Sequence, residues 1–198
     1  LESLDTALHS IERQDHHPLV FGGGTVLTAN PEPLADFFDV ILLGDGEDLL
    51  DRFIDAYQQV RHANRETKLR HLAQVPGIYI PSLYEVTYYS PDGEIKAIAP
   101  IAPEIPESVQ KQTYRGNTLS ASTVVTEKAA WENIYMVEVV RSCPEMCRFC
   151  LASYLTLPFR TAPLETSLIP AIEKGLKVTN RLGLLGASVT QHPEFTAI

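Results

Sequence analysis

The sequence is poor in the residues that fix a fold by chemistry alone. Of its 198 residues, three are cysteine, one is tryptophan and two are methionine. Three thiols are an odd number, which fits a secreted disulfide framework poorly. No apolar run approaches the roughly 18 residues that a spanning helix needs, so no membrane partner is expected. No signal peptide opens the chain. Basic residues are short as well: 16 Lys and Arg stand against 25 Asp and Glu, a net charge of −9. That balance argues against nucleic acid as a general ligand. What remains, 44% hydrophobic and 21% charged residues, is the composition of a globular chain. Its first residue is Leu1 rather than Met, and the chain is read as a fragment of a longer protein.

The charge is uneven. Residues 1–75 carry a net −7, residues 76–142 a net −3 and residues 143–198 a net +1. The acidic part reads as a solvated surface. All three cysteines, Cys143, Cys147 and Cys150, fall in the last segment. Thiols this close together belong in a reducing compartment, so the cytoplasm is the expected location.

Hydrophobic spacing predicts α/β organisation in three zones, residues 1–75, 76–132 and 133–198. In the first, Leu4, Ala7, Leu8 and Ile11 recur at helical spacing and predict a helix over 2–14. Residues 18–21 read as a buried strand ending at Gly22-Gly-Gly24, with prolines rather than a helix beyond it. Residues 38–43 read as a second strand, stopped by Gly44-Asp-Gly46. An amphipathic helix is expected from Glu47 to about Arg65, and the sheet is expected to be parallel. The second zone has six prolines between Pro76 and Pro106 and reads as an extended linker. It carries one β-hairpin, 84–89 and 94–98, around the turn Ser90-Pro-Asp-Gly93. The third zone predicts a strand over 133–140, a helix over 163–178 that Pro170 enters or splits, and a strand over 182–189. Together these make one βαβ unit.

Between that first strand and helix lies Cys143-Pro-Glu-Met-Cys147-Arg-Phe-Cys150, a C-x3-C-x2-C pattern in a loop where α/β folds place functional groups. Structural zinc and most iron–sulfur clusters take four protein ligands, and no fourth cysteine exists. Three thiolates can hold three corners of a [4Fe–4S] cube and leave one iron open. The competing readings are a zinc site completed by His192 or an acid, and a non-catalytic module with a structural or electron-transfer metal.

The run Val137-Glu-Val-Val-Arg-Ser-Cys-Pro-Glu-Met-Cys-Arg-Phe-Cys150 resembles the radical S-adenosylmethionine (SAM) superfamily. The resemblance implies that Cys143, Cys147 and Cys150 bind a [4Fe–4S] cluster and that SAM chelates its unique iron. It implies further that Phe149 lies near the adenine and that Gly186, ending the next strand, approaches the SAM amino group. Pro158-Phe-Arg160 is similar to a stretch in the branch that carries an N-terminal cobalamin-binding domain. Phe21-Gly-Gly-Gly24, Asn30-Pro-Glu-Pro33 and Phe37–Glu47 resemble the last strands of that domain, and Pro76–Pro81 with Ser82–Val86 its linker. On this reading residues 1–75 are the C-terminal part of a Rossmann-like domain, Gly22 and Gly23 contact a cobalamin tail, and residues 133–198 open a truncated (β/α) barrel.

There are departures. Ser142 stands where the branch usually has glycine, and serine adds strain if φ is positive. The branch's Asp-x-His-x-x-Gly motif is not matched by Asp15-His16-His17, because Val20 takes the glycine's place. The implied activity of the intact protein is reductive cleavage of SAM to a 5′-deoxyadenosyl radical acting on an unknown substrate, with an external electron donor of flavodoxin or ferredoxin type. With 48 residues after Cys150 against about 250 for a full barrel, the fragment itself is expected to be inactive and to self-associate through exposed barrel strands.

Overall fold

The computed structural model describes residues 5–198. Contacts divide the chain into two compact α/β units, Leu1–Tyr114 and Arg115–Ile198.

In the first unit, β1 (Phe21–Gly23), β2 (Val40–Leu42) and β3 (Ile78–Tyr79) form one sheet in that order. β1 and β2 run parallel with Phe21 opposite Val40. β3 is antiparallel to β2, so the sheet is mixed rather than parallel, and part of the presumed linker is one of its strands. The first strand lies later than the 18–21 expected. Its pairing starts at the Val20 carbonyl, which accepts from the Asp39 and Val40 amides at 2.8 and 3.3 Å; Pro18 has no N–H to extend it backwards. Gly22 and Gly23 are therefore strand residues. A short helix, α1 (Thr25–Ala29), follows Gly24 directly, where only prolines were expected.

The helix expected over 2–14 does not form within the described residues. Residues 5–14 hold a single tight turn, Ser10–Glu12, and residues 2–4 lie outside the description. The reason is Arg13, which is buried and donates to the Ala7, Leu8 and Phe37 carbonyls at 2.9, 2.6 and 2.9 Å. Two of those carbonyls would otherwise accept the amides of a helix.

Helix α2 (Gly46–Val60) carries Glu47 and Asp48 in its first turn, where negative charge suits a helix N-terminus, and buries Leu49, Phe53 and Ala56. It ends before the expected Arg65 because Asn64 begins a new helix, α3 (Arg65–Leu72). The Asn64 side chain accepts from the Thr67 amide at 2.9 Å, a standard N-cap. The core under the sheet includes Val40, Leu42, Leu49, Phe53, Leu72, Ile78 and Ile80. The hairpin forms as expected: β4 (Tyr84–Tyr88) pairs antiparallel with β5 (Ile95–Pro100), and the Gly93 amide donates to the Ser90 carbonyl at 2.9 Å.

The second unit runs β6 (Tyr135–Glu138), β7 (Val140–Arg141), α4 (Leu151–Leu155), β8 (Arg160–Thr161), α5 (Ile169–Leu176) and β9 (Leu182–Leu185). β6 and β9 are parallel with Tyr135 opposite Leu182, the pairing that a βαβ unit requires. The helix expected over 163–178 is split. A wide turn at Leu164–Leu168, in which the Leu168 amide reaches back to the Pro163 carbonyl at 3.1 Å, precedes α5. Pro170 has no amide hydrogen and its ring crowds the carbonyl four residues back, which a wider turn relieves.

Tyr135, Val137, Val139 and Val140 pack against Ala162, Leu164 and Leu168 in a core of their own. Val137 and Val139 are thus covered, although truncation suggested exposure. Leu184 and Leu185 remain exposed. Among the described residues the sheets are small and no closed barrel exists. No described helix is long and apolar enough to cross a membrane.

Candidate functional site

The cysteine loop is framed by a two-residue antiparallel ladder. Val140 pairs with Thr161 and Arg141 with Arg160, so the chain leaves β7, traverses residues 142–159 and returns beside its starting point. Glu138 and Arg141 lock the approach. The Arg141 guanidinium donates to both Glu138 oxygens, Nε to Oε1 at 2.7 Å and Nη2 to Oε2 at 2.6 Å, and the Ser120 amide donates to Oε2 at 3.0 Å. Burial alone would raise the Glu138 carboxyl, but the Arg141 and Ser120 hydrogen bonds and the arginine charge outweigh it and hold it below the ordinary value.

Ser142 turns the chain into the loop with φ +70 and is buried. Its hydroxyl donates to the Ser153 carbonyl at 2.9 Å, across the loop's base. Within the loop, Met146 also has positive φ. The Cys150 amide donates to the Cys147 carbonyl at 2.9 Å and the Tyr154 hydroxyl to the Met146 carbonyl at 2.7 Å. Cys150 is the residue just before α4. Hydrogen bonds from the Ser153 hydroxyl first, then from the Ser153 and Ala152 amides, hold its thiol below the ordinary range.

All three thiols are free; Cys147 is exposed, and Cys143 and Cys150 are half-buried. The donor set fits a cluster with three protein thiolates in number and chemistry: three unpaired thiols on one short loop, one of them biased toward thiolate. Among the described residues, however, no three His, Cys, Asp or Glu side chains come close enough together to hold a metal ion. Loading would therefore have to draw the sulfurs together.

Two other residues of this unit bear on the site. Gly186 packs against β7, where an added Cβ would collide with Val140, so its strand end lies near the root of the loop. Phe149 is 91% exposed and touches no part of a site as placed. His192, the suggested fourth zinc ligand, is committed elsewhere. It is 4% exposed, its Nε2 lies 2.8 Å from the Ala162 carbonyl, and its Nδ1 accepts from the Glu194 amide at 3.0 Å. Both ring nitrogens are thus occupied by backbone groups, leaving neither free for a metal.

In the first unit, Gly22 and Gly23 are explained by packing. A Cβ on Gly22 would collide with the Phe38 ring, and one on Gly23 would lie 3.1 Å from the Leu42 carbonyl oxygen. Cobalamin contact at these glycines therefore rests on the resemblance alone. The same unit holds a cleft of about 910 Å3, a feature with no sequence signature. On its wall Asp39 receives Arg13 at 2.9 Å and Arg65 at 2.6 Å. Tyr79 donates to Glu32 at 2.5 Å; burial first, then that hydrogen bond and the Glu32 charge, push its phenol far upward.

Comparison with known proteins gives a direction. The family model for radical SAM proteins, N-terminal, matches residues 1–81. This match supports the radical SAM superfamily. The chain is also similar to "Uncharacterized protein MJ0966" of Methanocaldococcus jannaschii, at 27% identity over 186 residues. That alignment takes in 92% of this chain and 34% of the relative, so the chain spans about a third of the relative's length. No solved structure matches the chain.

Proposed function

We propose that this chain is the part of a radical SAM enzyme that carries the cluster-binding loop, with Cys143, Cys147 and Cys150 as the three ligands of a [4Fe–4S] cluster. The observation that carries the reading is three free thiols on one loop that is closed by the β7–β8 ladder, in a chain whose residues 1–81 match a radical SAM N-terminal family. In the intact protein the three thiolates would hold a group that supplies one electron for the reductive cleavage of SAM.

The chain's own residues bind and orient. Glu138 and Arg141 fix the strand from which the loop springs, and Gly186, having no Cβ, lets the chain after β9 pack directly against Val140. In the finer reading, residues 1–75 belong to a Rossmann-like, cobalamin-binding-type domain, residues 76–132 form the connection and residues 133–198 begin the barrel. The parallel β1–β2 pair supports the first of these, and the parallel β6–β9 pair the last. Cytoplasmic, reducing conditions suit free thiols.

Anaerobic reconstitution with iron and sulfide tests the reading. The expected result is about four irons per chain with a broad brown absorbance, abolished separately by Cys143→Ala, Cys147→Ala and Cys150→Ala. Stoichiometric zinc in protein purified without oxygen, with no iron uptake, would overturn it.

A further inference from the structure

Cys147 and Cys150 are the two ends of a single tight turn. The Cys150 amide donates to the Cys147 carbonyl at 2.9 Å, and Arg148 and Phe149 lie between them. A turn of this kind brings its first and last Cα atoms within about 7 Å, and a disulfide spans Cα separations of about 4.4–6.8 Å. Cys143 lies outside the turn, with Met146 at φ +45 between it and Cys147. All three thiols are free, and Cys147 is exposed. Residues 144–149 are exposed throughout, Phe149 at 91%, so the turn can adjust without displacing a packed side chain.

We propose that Cys147 and Cys150 are a redox-active dithiol, closed to a Cys147–Cys150 disulfide in the metal-free chain by a low-molecular-weight disulfide such as oxidised glutathione. The exposed Cys147 sulfur, as thiolate, attacks one sulfur of the small disulfide. Its S–S bond breaks, and one small thiolate leaves and takes up a proton. The Cys150 sulfur gives up its proton, attacks the Cys147 sulfur of the mixed disulfide, and the second small thiol leaves. The protein loses two electrons and two protons, and the oxidant becomes two thiols. The folded turn already holds the two ends together, so closing this short loop removes little further entropy. An exposed bond in so short a loop also constrains the unfolded chain little and stays reducible. Two intervening residues is the spacing that thiol–disulfide exchange uses elsewhere. The bond takes two of the three sulfurs, so oxidation and metal loading of the loop exclude each other. The proposal concerns the metal-free chain: failure of iron uptake would count against the cluster and not against the dithiol.

The test treats the metal-free 198-residue chain with oxidised glutathione, alkylates the remaining thiols and digests with trypsin without reduction. Trypsin cuts after Arg141, Arg148 and Arg160, so Cys143 and Cys147 leave on peptide 142–148 and Cys150 on peptide 149–160. The expected product is these two peptides joined, with Cys143 alkylated, and reactive thiols falling from three to one per chain. Cys143→Ser should give the same joined pair, and Cys150→Ser should stop at a mixed disulfide of Cys147 with glutathione. Excess reduced glutathione should restore all three thiols.

A bond within peptide 142–148, a joined pair with Cys147 alkylated instead, or three surviving thiols would overturn the proposal. A bond that resists reduced glutathione would be structural rather than redox-active, which also overturns it. In denaturing urea, which removes the turn, the pairings should scramble. The same pairings with and without urea would show that spacing rather than the fold selects the partner, and the assignment to the turn would fall.

Discussion

Two carboxylates, Asp39 buried and Glu138 half-buried, carry different loads. Asp39 is 3% exposed and is held by two guanidinium groups and the Val20 amide, which donates to Oδ2 at 2.7 Å. Removing it strands Arg13, whose side chain is fully buried. Breaking a buried pair from one side costs about 3–5 kcal/mol. Urea denaturation should therefore show Asp39→Ala losing that much, while Glu66→Ala, which breaks an exposed i,i+4 pair with Arg70, stays within about 0.5 kcal/mol of the unaltered chain. Equal effects would show that the network is not what fixes residues 5–20. Glu138 tests the other unit through pH. Its folded value is depressed below the ordinary 4.5, so the ionised carboxylate is favoured by folding. Its contribution is fully present above that value and is lost as pH falls through the lower folded one. Glu138→Gln should cost roughly 1 kcal/mol at neutral pH, with the difference from the unaltered chain narrowing below pH 4.5. A difference independent of pH from 7 to 3 would mean the carboxylate's charge is not the contributor.

Elements depend on where glycine is required rather than on how many there are. Gly44, two residues beyond β2, has φ +113, and an added Cβ would run into the Gln112 backbone. There the Leu43 carbonyl accepts from the Gln112 amide at 2.9 Å, and the Asp45 amide donates to the Gln112 carbonyl at 3.0 Å. Gly46, the first residue of α2, has nothing within contact of a Cβ. Thermal melts should show Gly44→Ala destabilising by more than about 1 kcal/mol and Gly46→Ala neutral or stabilising by about 0.4–1 kcal/mol. The reverse order would refute the bridge between Gly44 and Gln112. Local signals of this kind were what the sequence made legible: the Ser90–Gly93 turn, the acidic start of α2 and the parallel β6–β9 pair. The failures came from long-range partners. The apolar spacing of Leu4, Ala7, Leu8 and Ile11 is helical, but Arg13 takes the carbonyls that helix needs, and Arg13 is placed by Asp39 26 residues away. Helix α3 was missed although Asn64, a favoured N-cap residue type, stands directly before it. At the site, the cysteine spacing was legible. The Ser142–Ser153 contact and the occupation of both His192 nitrogens were not, since each depends on which chain segment folds back against the loop.

At the scale of the whole molecule, charge and edge act against each other. β9 pairs with β6 alone in its sheet, and its Leu184 and Leu185 are 41% and 37% exposed. A strand edge with apolar side chains beside it is a template for a second chain. Leu176 and Val178, exposed nearby in sequence, add apolar surface. Opposing this, each copy carries −9, and like charge keeps chains apart at low salt. Screening shortens that repulsion from about 30 Å at 0.01 M to about 10 Å at 0.1 M ionic strength, whereas strand pairing acts at about 5 Å and is little affected. Association should therefore grow with protein concentration and grow further with salt, the opposite of an ion-pair interface, which salt weakens. Leu184→Lys places a charge on the edge in the way natural edge strands do, and should return the chain to a monomer at salt concentrations where the unaltered protein associates. Light scattering after size exclusion, at low and high salt, reads both results. A monomer under every condition would show that β9 is covered in solution, and association that salt dissolves would place the contact on charged surface instead.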